Sequence, residues 1–177
     1  LAALPGCVRD AARGAGAERG LGAVVTLNRS LIVPFLQFSP NRLLRQKAYD
    51  AWVARGENGG ETDNRGVAAE TLSLRAERAA LLGYPDFSHF KLEPEMAKTP
   101  GAVRDLLMRV WEPAKRKAVA DAAVLEAMLV ADGLAAPLEP WDWRYYSEKR
   151  RLAEHDLDEA SLKPYLGLDA MLGAGGR

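Results

Sequence analysis

The chain has 177 residues, with 24 Lys and Arg against 24 Asp and Glu, and a formal net charge of zero with both His neutral. No cationic excess exists to displace counterions from nucleic acid, and an apolar fraction of 48% with interleaved charges excludes a disordered tail. One cysteine, Cys7, excludes an intrachain disulfide and a thiolate metal cluster, and no apolar run approaches the ~18–20 residues that span a bilayer.

Composition favours helix: Ala and Leu supply 55 residues, whereas Val, Ile and Thr supply 16. In chain order, residues 1–22 form an Ala/Gly/Arg-rich opening that reads as a partly ordered segment without the continuous apolar stretch of a signal peptide. Residues 23–38 are the one strand-like run, with Val24, Val25, Ile32 and Val33 around Thr26 and Asn28. Pro34 confines it to a sheet edge or an irregular extended segment. A helix is expected from about Pro40 to Arg55, capped by Ser39, with Leu44, Ala48 and Trp52 on one face. A second runs from about Thr62 to Leu82, capped by Thr62 or Asp63 and closed by Gly83, and Asp86 to Lys91 follows as a short helical turn.

From Thr99 to Asp132, apolar residues recur at Val103, Leu106, Leu107, Val110, Trp111, Ala114, Ala118, Ala122, Leu125 and Leu129, the stripe of one helical face. Thr99 and Pro100 open this helix and Gly133 ends it; Pro113 predicts a kink, or two helices meeting. After the break from Pro137 to Pro140, Trp141 to Glu154 reads as helix. Asp156 or Asp158 then caps a last helix reaching Leu172, and 173–177 is a flexible tail. The expected fold class is all-α, with 23–172 as one helical portion, no internal repeat and no clear domain boundary.

Candidate chemistry is sparse. His89 and His155 lie 66 positions apart, so no helix carries two histidines at metal-binding spacing. His155 stands among Glu154, Asp156, Asp158 and Glu159, a grouping that reads better as a solvated helix junction than as a ligand cluster. His89, within Phe87-Ser88-His89-Phe90, reads as a packed or partly exposed histidine rather than a catalytic base. The glycine-rich loop 56–64 lacks the Lys-Ser/Thr pair of a phosphate cradle, and Glu57, Glu61 and Asp63 would repel phosphate. It reads as a turn between helices, its acids favourably placed at the positive end of the next one. Cys7 lies in the opening segment, and no nucleophile elbow exists. Basic runs at 115–117 and 149–151, the latter beside Trp141, Trp143, Tyr145 and Tyr146, raise a base-stacking alternative, but interleaved Glu148 and Glu154 favour helix packing, most of these aromatics facing the core.

Several long segments carry a resemblance. Residues 55–64 (RGENGGETDN), 74–84 (LRAERAALLGY), 96–100 (MAKTP), 140–146 (PWDWRYY), 156–160 (DLDEA) and 162–166 (LKPYL) resemble the thimet-oligopeptidase-like zinc metallopeptidases. Within that family they look most like the bacterial peptidyl-dipeptidase (dipeptidyl carboxypeptidase) branch. The match runs in register from about Val24 to about Met171, roughly five sixths of the chain.

The resemblance implies a mostly helical two-lobed enzyme, with a deep channel that admits short oligopeptides and a zinc ion that activates water. It further implies an H-E-x-x-H helix, a later Glu ligand, and a parent that removes C-terminal dipeptides. This sequence contains no H-E-x-x-H, and neither His89 nor His155 matches a ligand position. No catalytic, cofactor-binding or metal-ligating residue of the family is therefore carried onto any residue here. The start at Leu1 and the Gly-Ala-Gly-Gly-Arg ending give the expectation of an internal piece of a larger enzyme, or of a truncated or frameshifted reading of its gene. Such a piece would build part of one lobe and a channel wall, would be inactive by itself, and would have the missing C-terminal half of the same domain as its partner. Nucleic acid and membrane are not expected as partners, and a cytoplasmic location is. The rival expectation is a stand-alone helical interaction module without catalysis.

Overall fold

The computed structural model describes residues 4–155 together with Gly167 and Gly173. Among these residues the secondary structure is helical throughout: α1 (Gly6–Ala17), α2 (Arg29–Phe38), α3 (Arg42–Val53), α4 (Arg65–Leu81), α5 (Phe87–Leu92), α6 (Pro100–Ala131) and α7 (Pro140–His155), with a 3₁₀ turn at Gly60–Thr62. The chain is all-α. The helix expected to reach Leu172 lies outside the described residues, as does all of the tail but Gly173.

The extended segment expected at 23–38 is corrected to helix α2 over most of its length. Asn28 starts it from an extended conformation, its carbonyl accepting from the amides of Leu31 and Ile32 at 2.9 Å. Pro34 sits inside, where the missing N–H and the ring cost about 3 kcal/mol. Leu31, Ile32, Phe35 and Leu36 share one helical face and are all buried, each contributing roughly 1.5–3 kcal/mol. Four such burials outweigh one proline. Of the β-branched residues that suggested a strand, Ile32 and Val33 thus serve a helix that tertiary contact holds, while Val24, Val25 and Thr26 lie in the non-helical stretch before it.

The opening segment contains α1, so Cys7 lies on an ordered helix, exposed. Leu4 and Val8 pack with Leu31 and Phe35. The following chain doubles back along α1, the Val24 amide donating to the Ala12 carbonyl at 2.8 Å. Gly16 permits that approach, since a Cβ there would stand 2.8 Å from the backbone of Ala23.

The expected stops hold in detail. Gly83 and Gly133 adopt φ of +80° and +79°. Around each, two amides bond back to the last turn: Gly83 to Ala80 and Tyr84 to Ala79, Gly133 to Val130 and Leu134 to Leu129. Thr99 Oγ1 accepts from the Ala102 amide at 3.2 Å, capping α6, which is a single helix through Pro113. At α3 the capping side chain is Asn41, accepting from the Leu44 amide at 3.0 Å, rather than the expected Ser39.

The chain divides into two compact units, Leu1–Tyr49 with Leu125–Arg177, and Asp50–Val124. In the first, α2 packs on α1 and α7, and two apolar clusters form: the one around Leu31 and Phe35, and one of Leu125, Leu129 and Tyr146. In the second, α5 packs on α4, and Ala79 is the one buried apolar residue among those described.

Candidate functional site

The densest polar chemistry lies in the first unit, between α3 and α7. The sequence grouped Leu44 with Ala48 and Trp52 on one face of α3; in the structure Leu44 is exposed and Arg45 is 1% exposed. Its guanidinium donates to Asp142 Oδ1 at 2.7 Å, to the Ser39 carbonyl at 2.8 Å and to the Trp141 carbonyl at 3.2 Å, and lies 4.2 Å from the centre of the Tyr145 ring. Arg42, one turn earlier, donates to Asp142 Oδ2 at 2.7 Å from Nη2 and at 3.0 Å from Nε. The Glu139 amide adds a bond to Oδ2 at 3.3 Å. A fully buried carboxylate held by two guanidiniums and an amide is a satisfied ionic knot, which orients α7 on α3. Sequence reasoning missed it. The only signal is the spacing Arg42–Arg45, one turn apart on α3.

Along α7 the pairing continues. Glu148 accepts from Gln37 Nε2 at 2.9 Å and from Arg151 Nε at 2.9 Å, and the Arg151 guanidinium holds its carboxyl below the usual range. Tyr146 donates to Asp132 at 3.1 Å, and burial first, then that bond, pushes its hydroxyl up to about 12. Lys149 donates to Asp132 at 2.5 Å and Arg150 to Glu154 at 2.7 Å. The basic run 149–151 is therefore matched cation by cation with carboxylates. Of the aromatic group, Tyr146 is buried, Tyr145 and Trp141 are half-buried, and Trp143 is exposed. Trp141 meets Tyr49 edge-on with centroids 6.3 Å apart, and its Nε1 is shut from solvent without a hydrogen-bond partner. A cleft of about 320 Å³ lies over Gln37, Trp143, Arg144, Ser147, Glu148 and Arg151.

In the second unit, the loop 56–64 is the expected turn. The Asn64 amide donates to the Gly56 carbonyl at 2.8 Å, and Asp63 accepts from the Arg65 amide at 3.0 Å and from its guanidinium, which holds the Asp63 carboxyl below the usual range. Asp86 caps α5 through the His89 amide at 3.0 Å and meets His89 Nδ1 at 2.9 Å. Tyr84 donates to Glu93, which raises its pKa. Arg78 stands 5.0 Å from the Phe90 ring, beside an open cleft of about 530 Å³ lined by Phe87, Phe90, Lys91, Glu93 and Pro94.

The implied zinc can be tested against these side chains. His89 is engaged by the carboxylate that caps its own helix, and His155 is the exposed last residue of α7. Asp156, Asp158 and Glu159 lie outside the described residues. Among those described, no three His, Cys, Asp or Glu gather closely enough to hold an ion, so the residues do not fit a zinc site. No helix described is long and apolar enough to cross a membrane.

The described residues thus form helices held in the first unit by a buried ion knot, with open clefts at the surface of each unit. The model of peptidase family M3 matches residues 35–174, and the chain belongs to that family. It is similar to the dipeptidyl carboxypeptidase of Escherichia coli (strain K12), at 32% identity over 91% of this chain and 24% of the relative. It is also similar to oligopeptidase A of Salmonella typhimurium, at 34% identity over 93% of the chain and 25% of the relative. A probable cytosolic oligopeptidase A of Arabidopsis thaliana matches at 31% identity over 85% of the chain and 22% of the relative. The chain spans about a quarter of the length of the curated relatives it matches.

Proposed function

We propose that this chain is a helical scaffold portion of a cytoplasmic zinc metallopeptidase of the peptidyl-dipeptidase type, which acts on oligopeptides and removes C-terminal dipeptides. The observation that carries the reading is the match to family M3 over 35–174, together with relatives named dipeptidyl carboxypeptidase and oligopeptidase A. The metal and the groups that work with it are assigned to parts of the enzyme outside this sequence, because the described residues do not fit zinc and the sequence contains no H-E-x-x-H. By itself the chain is inactive. What it contributes is helical scaffold, in which α3 and α7 are tied by Arg42, Arg45 and Asp142.

The test is metal content and turnover of the purified chain. The expected result is no stoichiometric zinc and no cleavage of a blocked oligopeptide. Stoichiometric zinc with chelator-sensitive release of dipeptides by the pure chain would sink the scaffold reading. The exposed apolar residues of α4 and α6 favour one rival, a helical interaction module without catalysis. It predicts stable, monodisperse behaviour and a cooperative melt for the chain alone, where the scaffold reading predicts association and a broad melt.

A further inference from the structure

Asn58 and Gly59 stand in the loop between α3 and the 3₁₀ turn at Gly60–Thr62, and both are exposed. The Asn58 side-chain amide meets no hydrogen-bond partner among the described residues. Gly59 adopts φ of +72° with ψ of 168°, a conformation open to glycine, and nothing lies within 4 Å of where its Cβ would be. The main-chain nitrogen of Gly59 is therefore approachable by the side chain that precedes it. That nitrogen is also held, its N–H donating to Asp63 Oδ2 at 3.2 Å. Asp63 is anionic in neutral water, since the Arg65 guanidinium and then the Arg65 amide keep its carboxyl below the usual range. The sequence holds four asparagines. Arginine follows Asn28, Asn41 and Asn64, and glycine follows only Asn58.

We propose that Asn58 is a site of spontaneous covalent modification, deamidation through a cyclic imide closed on Gly59, and that Asp63 is the residue that holds the reaction back. The Gly59 nitrogen loses its proton to solvent base and attacks Asn58 Cγ. The N–Cγ bond forms, the Cγ–Nδ2 bond breaks, and Nδ2 takes a proton returned by solvent and leaves as ammonia. Water then opens either carbonyl of the imide, leaving aspartate or isoaspartate at position 58, and nothing is oxidised or reduced. The step that Asp63 opposes is the first. Its carboxylate accepts the proton that must leave, and sets a like charge 3.2 Å from the nitrogen anion that would form. Either product adds a fourth carboxylate beside Glu57, Glu61 and Asp63. Isoaspartate also puts one more carbon into the main chain of a turn that the Asn64 amide closes on the Gly56 carbonyl at 2.8 Å. None of this depends on the peptidase reading.

The experiment incubates the full chain in neutral and in mildly alkaline buffer and samples it over weeks. Peptide mapping by mass spectrometry reads amide-to-acid conversion at each asparagine. Methyl transfer from labelled S-adenosylmethionine by an isoaspartyl methyltransferase reads isoaspartate. The expected result is conversion at Asn58 well ahead of Asn28, Asn41 and Asn64, with isoaspartate among the products and a rate that rises with pH. Asp63→Asn removes the charge and should speed the reaction about tenfold, the effect of two unit charges at 3.2 Å in water. In urea the bond to Asp63 is gone, and the two chains should react alike. Asn58→Gln, whose imide ring is one atom larger, should abolish the isoaspartate signal. Conversion at Asn58 no faster than at the other three asparagines, or a product that is aspartate alone, would overturn the proposal. So would an Asp63→Asn chain that reacts no faster than the parent when folded. An acceleration that persists undiminished in urea would also overturn it, because the effect would then belong to nearness in sequence and not to the folded loop.

Discussion

The two units solve the problem of holding helices together in opposite ways. In Leu1–Tyr49 with Leu125–Arg177, apolar clusters and an Arg–Asp–Arg knot hold α2, α3 and α7, and their buried side chains are 0–7% exposed, Arg42 alone of the knot being 25% exposed. In Asp50–Val124, α4 and α6 keep good local helix signals, an Asp63 turn, a Thr99 cap and a Gly83 stop, but Ala79 alone is buried among the described apolar residues. The difference teaches that helix identity and helix stability come from different sources. Capping and propensity set where a helix starts and stops, each at about 1 kcal/mol. Burial of its face, at several times that, decides whether it stays folded.

The largest test of that contrast is Asp142→Ala. Removing the shared carboxylate leaves Arg45, at 1% exposure, as a buried charge without its acid, and the expected loss is about 3–5 kcal/mol in urea unfolding of the first unit. A loss below about 1 kcal/mol would mean that solvent reaches the guanidinium and that the knot does not hold α7. Next, Leu129→Ala, at a fully buried site, is expected to cost about 2–5 kcal/mol, whereas Leu107→Ala in the open stretch of the same helix stays within about 0.5 kcal/mol. Equal effects would erase the distinction between the units.

Titration sharpens the comparison from the other side. The Tyr146 hydroxyl has an ordinary value of 10.0 and is pushed up to about 12 in the fold. Its contribution is therefore whole below pH 10 and is lost as the pH rises from 10 toward 12. Absorbance of tyrosinate should show a late-titrating tyrosine that Tyr146→Phe removes, while Tyr84, also raised by its bond to Glu93, remains. Glu148 behaves with the opposite sign. Its folded carboxyl lies below the ordinary 4.5, so its contribution is present above that value and is lost as the pH falls through the folded pKa. Glu148→Gln should flatten the acid limb of the first unit's stability curve. The smallest effect is expected from Thr99→Ala, about 1 kcal/mol of helix start, seen as faster amide exchange in the first turn of α6 and nowhere else.

Much of this was legible in the sequence, and the misses have a common origin. The glycine stops at 83 and 133, the Thr99–Pro100 start and the turn at 56–64 are properties of a few adjacent residues, and the structure shows each where local chemistry puts it. The family resemblance was equally legible, because it is carried by ordered segments such as 55–64 and 140–146. Residues 29–38 were misread as extended because Pro34 and the β-branched residues are local signals, while the helix there is held by burial against other elements. The burial of Arg45, beside an exposed Leu44, was not legible for the same reason. Polarity argues for an exposed arginine, and only Asp142, nearly a hundred positions away, reverses that preference.

The sequence by itself determined that the chain is helical, where most of its helices begin and end, and which family it belongs to, since caps, periodicity and motif order act over a few residues. Tertiary structure alone decided which faces of those helices became core. That choice turns on partners distant in the chain, an aspartate for two arginines and a tyrosine for two leucines. Burial free energy exists only once such partners meet.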